Sequence, residues 1–142
     1  MTFLSLDHAN RIIAAALTRG QELGLKPLTV AVLDPGGHLI ALQRQDSSSN
    51  LRPGIATGKA SGALALGVSS RKIGEMAADR PSFVGALGTI APAGIVPSAG
   101  GVIVVDADGR VIGAVGVTGD VADNDELCAL AGIAAAGLTA QA

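Results

Sequence analysis

The stretch Val30–Ile40, VAVLDPGGHLI, decides the fold, because it sets a turn between two runs of apolar residues. Asp, Pro and Gly supply the backbone conformations of a tight turn, so Asp34–Gly37 predicts a β-hairpin. A similar stretch, VIVVDADGRVI, recurs at Val102–Ile112 and predicts a second hairpin. Hairpins imply antiparallel pairing. The predicted strands are Leu28–Leu33 and His38–Gln43, then Gly101–Val105 and Arg110–Val117.

Apolar residues at helical spacing predict helices around these hairpins. Ser5 is the predicted N-cap of the first helix, and Pro53 is predicted in the first turn of the second. Asp123 and Glu126 have the spacing of a capping box before the last helix. We expect one α+β domain over residues 1–142, with an antiparallel sheet flanked by helices. The predicted helices cover 5–24, 53–66, 69–78 and 123–138, while 82–90 fits no single pattern.

The composition excludes several classes of protein. Hydrophobic residues make up 49% of the 142 residues and charged residues 15%, which is far from the composition of disordered chains. A net charge of −2, two Phe and no Tyr or Trp argue against nucleic-acid binding. The chain has one cysteine and two histidines, so it has no internal disulfide and no metal centre is predicted.

The chain start and the apolar residues predict where the protein is located and whether it assembles. The apolar residues form no run of about 18 residues, so we expect no membrane span. The start Met1–Ser5 has no basic, apolar leader, and we expect a cytoplasmic protein. The core consists of small side chains that bury little area each. Burial of further surface between copies of the chain is therefore favoured, and we expect a homo-oligomer.

Lys59 stands alone in the small, apolar stretch Gly54–Val68. An amine in such surroundings loses hydration, which lowers its pKa and allows it to act as a base, a Schiff-base former or an anion clamp. The alternative is an ordinary surface lysine whose stem lies along a helix. Both interpretations are open from the sequence.

Other polar residues have two interpretations each. Arg44 and Arg52 flank a serine-rich loop, where they either grip a carboxylate or lie in solvent. Gly116 and Gly119 precede the last helix, where backbone amides hold an anion or glycine allows close packing. His38, His8 and Asp120 are the remaining candidates.

One hypothesis from these residues is a cofactor-free enzyme of isomerase, lyase or hydrolase type. It would act on a small carboxylated metabolite. Lys59 would be the base or amine, with His38 or Asp120 as its partner. Arg44 or Arg52 would orient the carboxylate of the substrate.

Several segments together resemble the GlcG/HbpS-like family. These segments are Val32–Leu39, Arg44–Asp46, Lys59–Ala60, Val111–Gly119 and Asp123–Glu126. The resemblance implies profilin-like layering of the sheet and helices, and assembly into dimers or larger oligomers. Some members bind heme, whereas others are encoded among genes for the catabolism of small acids.

The resemblance leads to the second hypothesis, a small-ligand-binding protein. It would bind heme or a related tetrapyrrole at a subunit interface. His38 or His8 would be the iron ligand, and an arginine, Arg44 or Arg52, would meet the propionates. We favour this binding hypothesis because the family supplies a definite ligand.

Overall fold

The computed structural model describes residues 3–142. Met1 and Thr2, which belong to the start used in the leader argument, lie outside the described residues. In the described part of the chain, five helices surround one five-stranded antiparallel sheet with strand order β2-β1-β4-β3-β5. The elements, in chain order, are α1 (Leu6–Glu22), β1 (Thr29–Leu33), β2 (Leu39–Arg44), α2 (Arg52–Leu66), α3 (Ser70–Asp79), α4 (Pro81–Ile90), β3 (Gly101–Val105), β4 (Val111–Thr118), α5 (Ala122–Ala135) and β5 (Thr139–Ala140).

The two predicted hairpins are confirmed, and β1 joins them by pairing with β4. Their turns have the same geometry. The Asp34 N–H donates to the His38 carbonyl at 2.9 Å, and the Asp106 N–H donates to the Arg110 carbonyl at 2.9 Å. Gly37 and Gly109 have φ of 83° and 80°, the left-handed conformation that such turns require of glycine. The predicted α+β class is therefore confirmed.

Helices cover both faces of the sheet. Val30 and Val32 point into the core beneath α1 and α5, while the alternate residue Leu33 packs with Ala60 of α2. This explains why every residue of β1 is buried. The α2 helix approaches β4 so closely that a Cβ at Gly116 would overlap the Ala56 carbonyl. The small side chains thus allow close packing of helix on sheet.

The helix N-termini bear out two predictions and correct a third. Ser5 caps α1, and proline stands in the first turn of α2, as expected. The capping box predicted for Asp123 and Glu126 is wrong, because Val121 is the N-cap of α5 and makes no side-chain bond.

The last part of the chain differs from the prediction in two respects. The C-terminal helix ends at Ala135 rather than near Leu138, and Gly137 follows with a φ of 74°. Thr139 and Ala140 then form β5 on the edge of β3, a strand that we did not predict. The ambiguous stretch 82–90 is helical and belongs to α4, which begins at Pro81.

Within residues 3–142, no helix has the length and apolar character that a membrane crossing requires.

Candidate functional site

His38 stands at the end of the first hairpin turn with its side chain 82% exposed. The turn itself is held by Asp34, whose Oδ1 accepts from the backbone N–H of Gly36 at 2.9 Å and of His38 at 3.0 Å. The same Oδ1 lies 3.3 Å from Nδ1 of the His38 imidazole. A neutral His38 with its proton on Nδ1 has Nε2 available as a ligand for a metal or as a base.

A pocket of about 240 Å³ lies beside this turn. Its walls are small and mainly apolar. The turn contributes Pro35 and both glycines, α2 contributes Leu64 and Ala65, and Pro92 and Ala93 follow from the end of α4. The turn that precedes His38 therefore forms one wall of this pocket.

Lys59 is buried on the inner face of α2, with its side chain 3% exposed. Its Nζ donates to the Val117 carbonyl at 2.9 Å and to Asp125 Oδ2 at 3.1 Å. The sequence indicated an isolated amine. In the structure, the Lys59 amine is paired with the carboxylate of Asp125, whose side chain is 2% exposed. The direct partner is Asp125, and not His38 or Asp120, which the enzyme hypothesis named.

Burial governs the electrostatics of this pair. Desolvation lowers the pKa of Lys59, although the charge of Asp125 opposes the change. Desolvation raises the pKa of Asp125, against hydrogen bonds from the Asp120 backbone and from Lys59. Both shifts disfavour the charged forms of Lys59 and Asp125, because low-dielectric surroundings disfavour an ion.

Arg52 and Arg44 lie at the other end of the sheet from His38. Arg52 donates to Thr118 Oγ1 at 2.7 Å, and Arg44 donates to Asn50 Oδ1 at 3.2 Å. Among residues 3–142, neither guanidinium has a carboxylate at ion-pair distance. Both remain able to meet an anion.

The length of β2 separates these arginines from His38. Leu39 pairs with Leu33 at one end of β1, and Arg44 pairs with Thr29 at the other end. Six residues of strand span roughly 17 Å. One small substrate therefore cannot contact His38 and Arg44 of the same chain together.

The remaining candidates take part in local contacts. Nδ1 of His8 accepts from the Ser5 N–H at 3.1 Å, which closes a capping box on α1. Asp120 accepts from the Asn124 side chain and from the Lys26 N–H, and these hydrogen bonds lower its pKa. A Cβ at Gly119 would overlap the Pro27 carbonyl, so this glycine, like Gly116, lies against backbone. Their roles toward a ligand stay predictions.

Two residues near these candidates escaped the sequence analysis. No local pattern singles out Asp125, because its partner Lys59 lies 66 residues away along the chain. The sequence analysis gave Asp34 a role in the turn only. Its position four residues before His38, across a tight turn, could have indicated the contact between the two side chains. The neighbouring acids of α5, Asp123 and Glu126, bind Arg71 of α3.

Comparison with known proteins agrees with this architecture. The family model described as "Haem degrading protein HbpS-like" matches residues 4–134. The chain belongs to the HbpS-like family. Protein GlcG of Escherichia coli K12 is 36% identical over 116 residues, which cover 81% of both chains. The resemblance seen in the sequence is thereby confirmed.

Solved structures share the fold over nearly the whole chain. HbpS superimposes with a TM-score of 0.80 at 27% identity, covering 94% of this chain and 90% of that one. A structure described as a PduOC:heme complex gives a TM-score of 0.87 at 23% identity, covering 99% and 100%. At 23% identity, the likeness to the PduOC:heme complex establishes the shared fold and nothing further.

Proposed function

We propose that the protein binds a small ligand, heme or a related tetrapyrrole, at a subunit interface, with His38 as the iron ligand. The observation that carries this proposal is the exposed His38 imidazole, on a turn whose Pro35, Gly36 and Gly37 line an apolar pocket, with Nδ1 3.3 Å from Asp34 Oδ1. Family membership supports the ligand class, since the similar folds include a PduOC:heme complex and HbpS.

The residues at the hairpin fit an iron porphyrin in their chemistry. A neutral imidazole nitrogen is a common axial ligand of heme iron. The apolar walls from Leu64, Ala65 and Pro92 suit the face of a macrocycle. When bound, heme would supply an iron centre for redox or diatomic-gas chemistry, while this chain would orient the ring and exclude water from one face.

The pocket of one chain is too small to enclose such a ligand. Its volume of about 240 Å³ is below the roughly 300–1,000 Å³ of ordinary ligand pockets. A second copy of the chain would close the site. Arg44 and Arg52 lie at the far end of the sheet, so they would meet the propionates only from that second copy.

The α4 helix supports assembly into a homo-oligomer. It carries no charged residue, packs against α3 and buries only Val84 among its ten residues. Phe83, Leu87 and Ile90 recur at helical spacing on one side, and Ile90 is 76% exposed. An apolar helix face at the surface suits burial against another subunit.

The alternative function is a cofactor-free enzyme acting on a small carboxylated metabolite. The buried Lys59–Asp125 pair favours it, because burial moves both groups toward their neutral forms. We rank it second, since the Lys59 amine is 3% exposed and already donates to two partners. A substrate would reach it only after that part of the fold opened.

A hemin titration of the purified protein tests the proposal, with His38→Ala and His8→Ala beside it. We expect a Soret band that saturates at a simple ratio of hemin to protein and is lost in His38→Ala. His8→Ala should retain the band, since Nδ1 of His8 accepts from the Ser5 N–H and the neutral ring then carries its proton on Nε2, which leaves no nitrogen lone pair for iron. Loss of the band in His8→Ala alone would assign the ligand to His8 and overturn the assignment to His38.

A further inference from the structure

Two features surround the His38 imidazole beyond the ordinary contacts of a turn. Asp34 Oδ1 lies 3.3 Å from Nδ1. A Cβ at Gly36 would lie 2.9 Å from both Nδ1 and Cε1 of the ring. The imidazole therefore lies over the Gly36 backbone with Nδ1 at ion-pair distance from the Asp34 carboxylate, whose negative charge favours a proton on that nitrogen, and a side chain at position 36 would displace the ring.

The second hairpin shows which of these contacts the turn requires. Asp106 Oδ1 accepts from the backbone N–H of Asp108 and of Arg110, each at 2.9 Å. Asp34 makes the equivalent two bonds in the first hairpin. An aspartate thus builds both turns, but only in the first turn does it also face an imidazole.

We propose that Asp34 and Gly36 are positioning residues for His38. Asp34 selects the tautomer with the proton on Nδ1, Gly36 seats the ring, and the Nε2 lone pair is left for the metal. Histidines that bind metals usually donate their other ring N–H to such an acceptor, which fixes the ring and makes the free nitrogen a better ligand. This inference rests on the proposed function.

The first measurement uses the heme-free protein. Nitrogen-15 NMR of the imidazole, at a pH where His38 is neutral, reports which ring nitrogen carries the proton. Asp34→Asn keeps the acceptor oxygen of the turn but removes the charge, so the Nδ1–H population should fall. Asp106→Asn makes the same change in the matching turn and should leave the His38 signals unchanged.

The second measurement is the hemin dissociation constant of the same variants. Asp34→Asn should weaken binding by about tenfold, the lower end of the effect of such supporting residues. Gly36→Ala should also weaken binding, because its methyl group displaces the ring while position 36 needs no left-handed backbone. Asp106→Asn should bind hemin like the unmodified protein.

The two measurements separate this inference from the proposed function. If Asp34→Asn leaves the tautomer of His38 unchanged in the heme-free protein, the inference is overturned, whatever the hemin affinity. If the tautomer changes but Asp34→Asn and Gly36→Ala both bind hemin as tightly as Asp106→Asn, positioning for iron is overturned. If His38→Ala binds hemin normally, the proposed function fails, while the tautomer result stands by itself.

Discussion

The ion pair of Lys59 and Asp125 is the most deeply buried charged contact among the described residues, with the two side chains 3% and 2% exposed. Removal of one partner leaves an uncompensated buried charge. We therefore expect Lys59→Met or Asp125→Leu to lower the free energy of unfolding by about 3–5 kcal/mol. Urea unfolding measures the change.

The double variant provides the control for this prediction. Lys59→Met with Asp125→Leu replaces both charges by apolar groups, and it should be more stable than either single variant. Removal of the exposed Arg71 contact to Asp123 should change stability little. Additive losses in the double variant would show that the two side chains do not act as a pair.

Cys128 lies fully buried on α5. Burial raises the pKa of its thiol from 9.0 to about 11. Because the folded protein holds this proton more tightly than the unfolded chain, Cys128 contributes stability below pH 9 that is lost as the pH rises toward 11.

Unfolding experiments across this pH range check the sign. The stability of the unmodified protein should fall more steeply between pH 9 and 11 than that of Cys128→Ala, in which the thiol is absent. Parallel curves for the two proteins would contradict the assignment. The thiol should also resist alkylation in the folded protein and react in denaturant.

The α2 helix packs closely on β4 at Gly116. A Cβ at Gly116 would overlap the backbone carbonyl of Ala56, which cannot rotate away as a side chain does. Gly116→Ala should therefore cost about 1–3 kcal/mol of stability or more. Thermal and urea unfolding measure this cost.

Gly85 of α4 is the matched control. It lies within a helix, and a Cβ there would meet nothing within 4 Å. Gly85→Ala should leave stability unchanged or raise it by up to about 1 kcal/mol, because alanine favours the helix. Equal losses at both positions would refute the close contact as the cause.

Sequence reasoning succeeded for the elements whose signals are local. The Asp-Gly turns, the Ser5 cap and the proline of α2 all act within a few residues, so both hairpins and α1 and α2 were predictable. The strand β5 depends on the free edge of β3, and Asp123 and Glu126 are drawn to Arg71 across more than 50 residues. Such choices are made by tertiary contacts, which no local pattern contains.

The same distinction applies to the candidate site. His38 and the turn that holds it come from one hairpin, and the sequence placed them correctly next to each other. The partner of Lys59 and the separation of His38 from the arginines depend on strand order and register. The enzyme hypothesis therefore placed His38 and the arginines at one substrate, although they lie at opposite ends of the sheet.

At the scale of the whole molecule, α4 should mediate assembly. We expect sedimentation of the protein as a dimer or a larger oligomer. Phe83→Glu with Ile90→Glu should shift it toward monomer, since a charge buried in an apolar interface is costly. Val121→Glu, at an exposed position before α5, is the control and should leave the assembly unchanged.

The proposed function places the ligand site between subunits, so we expect assembly and ligand binding to change together. Variants that separate the subunits should also weaken hemin binding, because one chain supplies only part of the enclosure. A monomeric variant that retains full hemin affinity would place the ligand within a single chain instead.

The most direct test of the central claim is the Soret-region titration of hemin into three proteins: the unmodified chain, His38→Ala and Arg110→Ala. Arg110 occupies the position of His38 in the second hairpin, so its variant controls for damage to a turn. We predict a saturable band at a fixed ratio to subunits in the unmodified protein and in Arg110→Ala, and its loss in His38→Ala. Identical, unsaturating spectra in all three proteins would contradict the claim and favour the enzyme hypothesis.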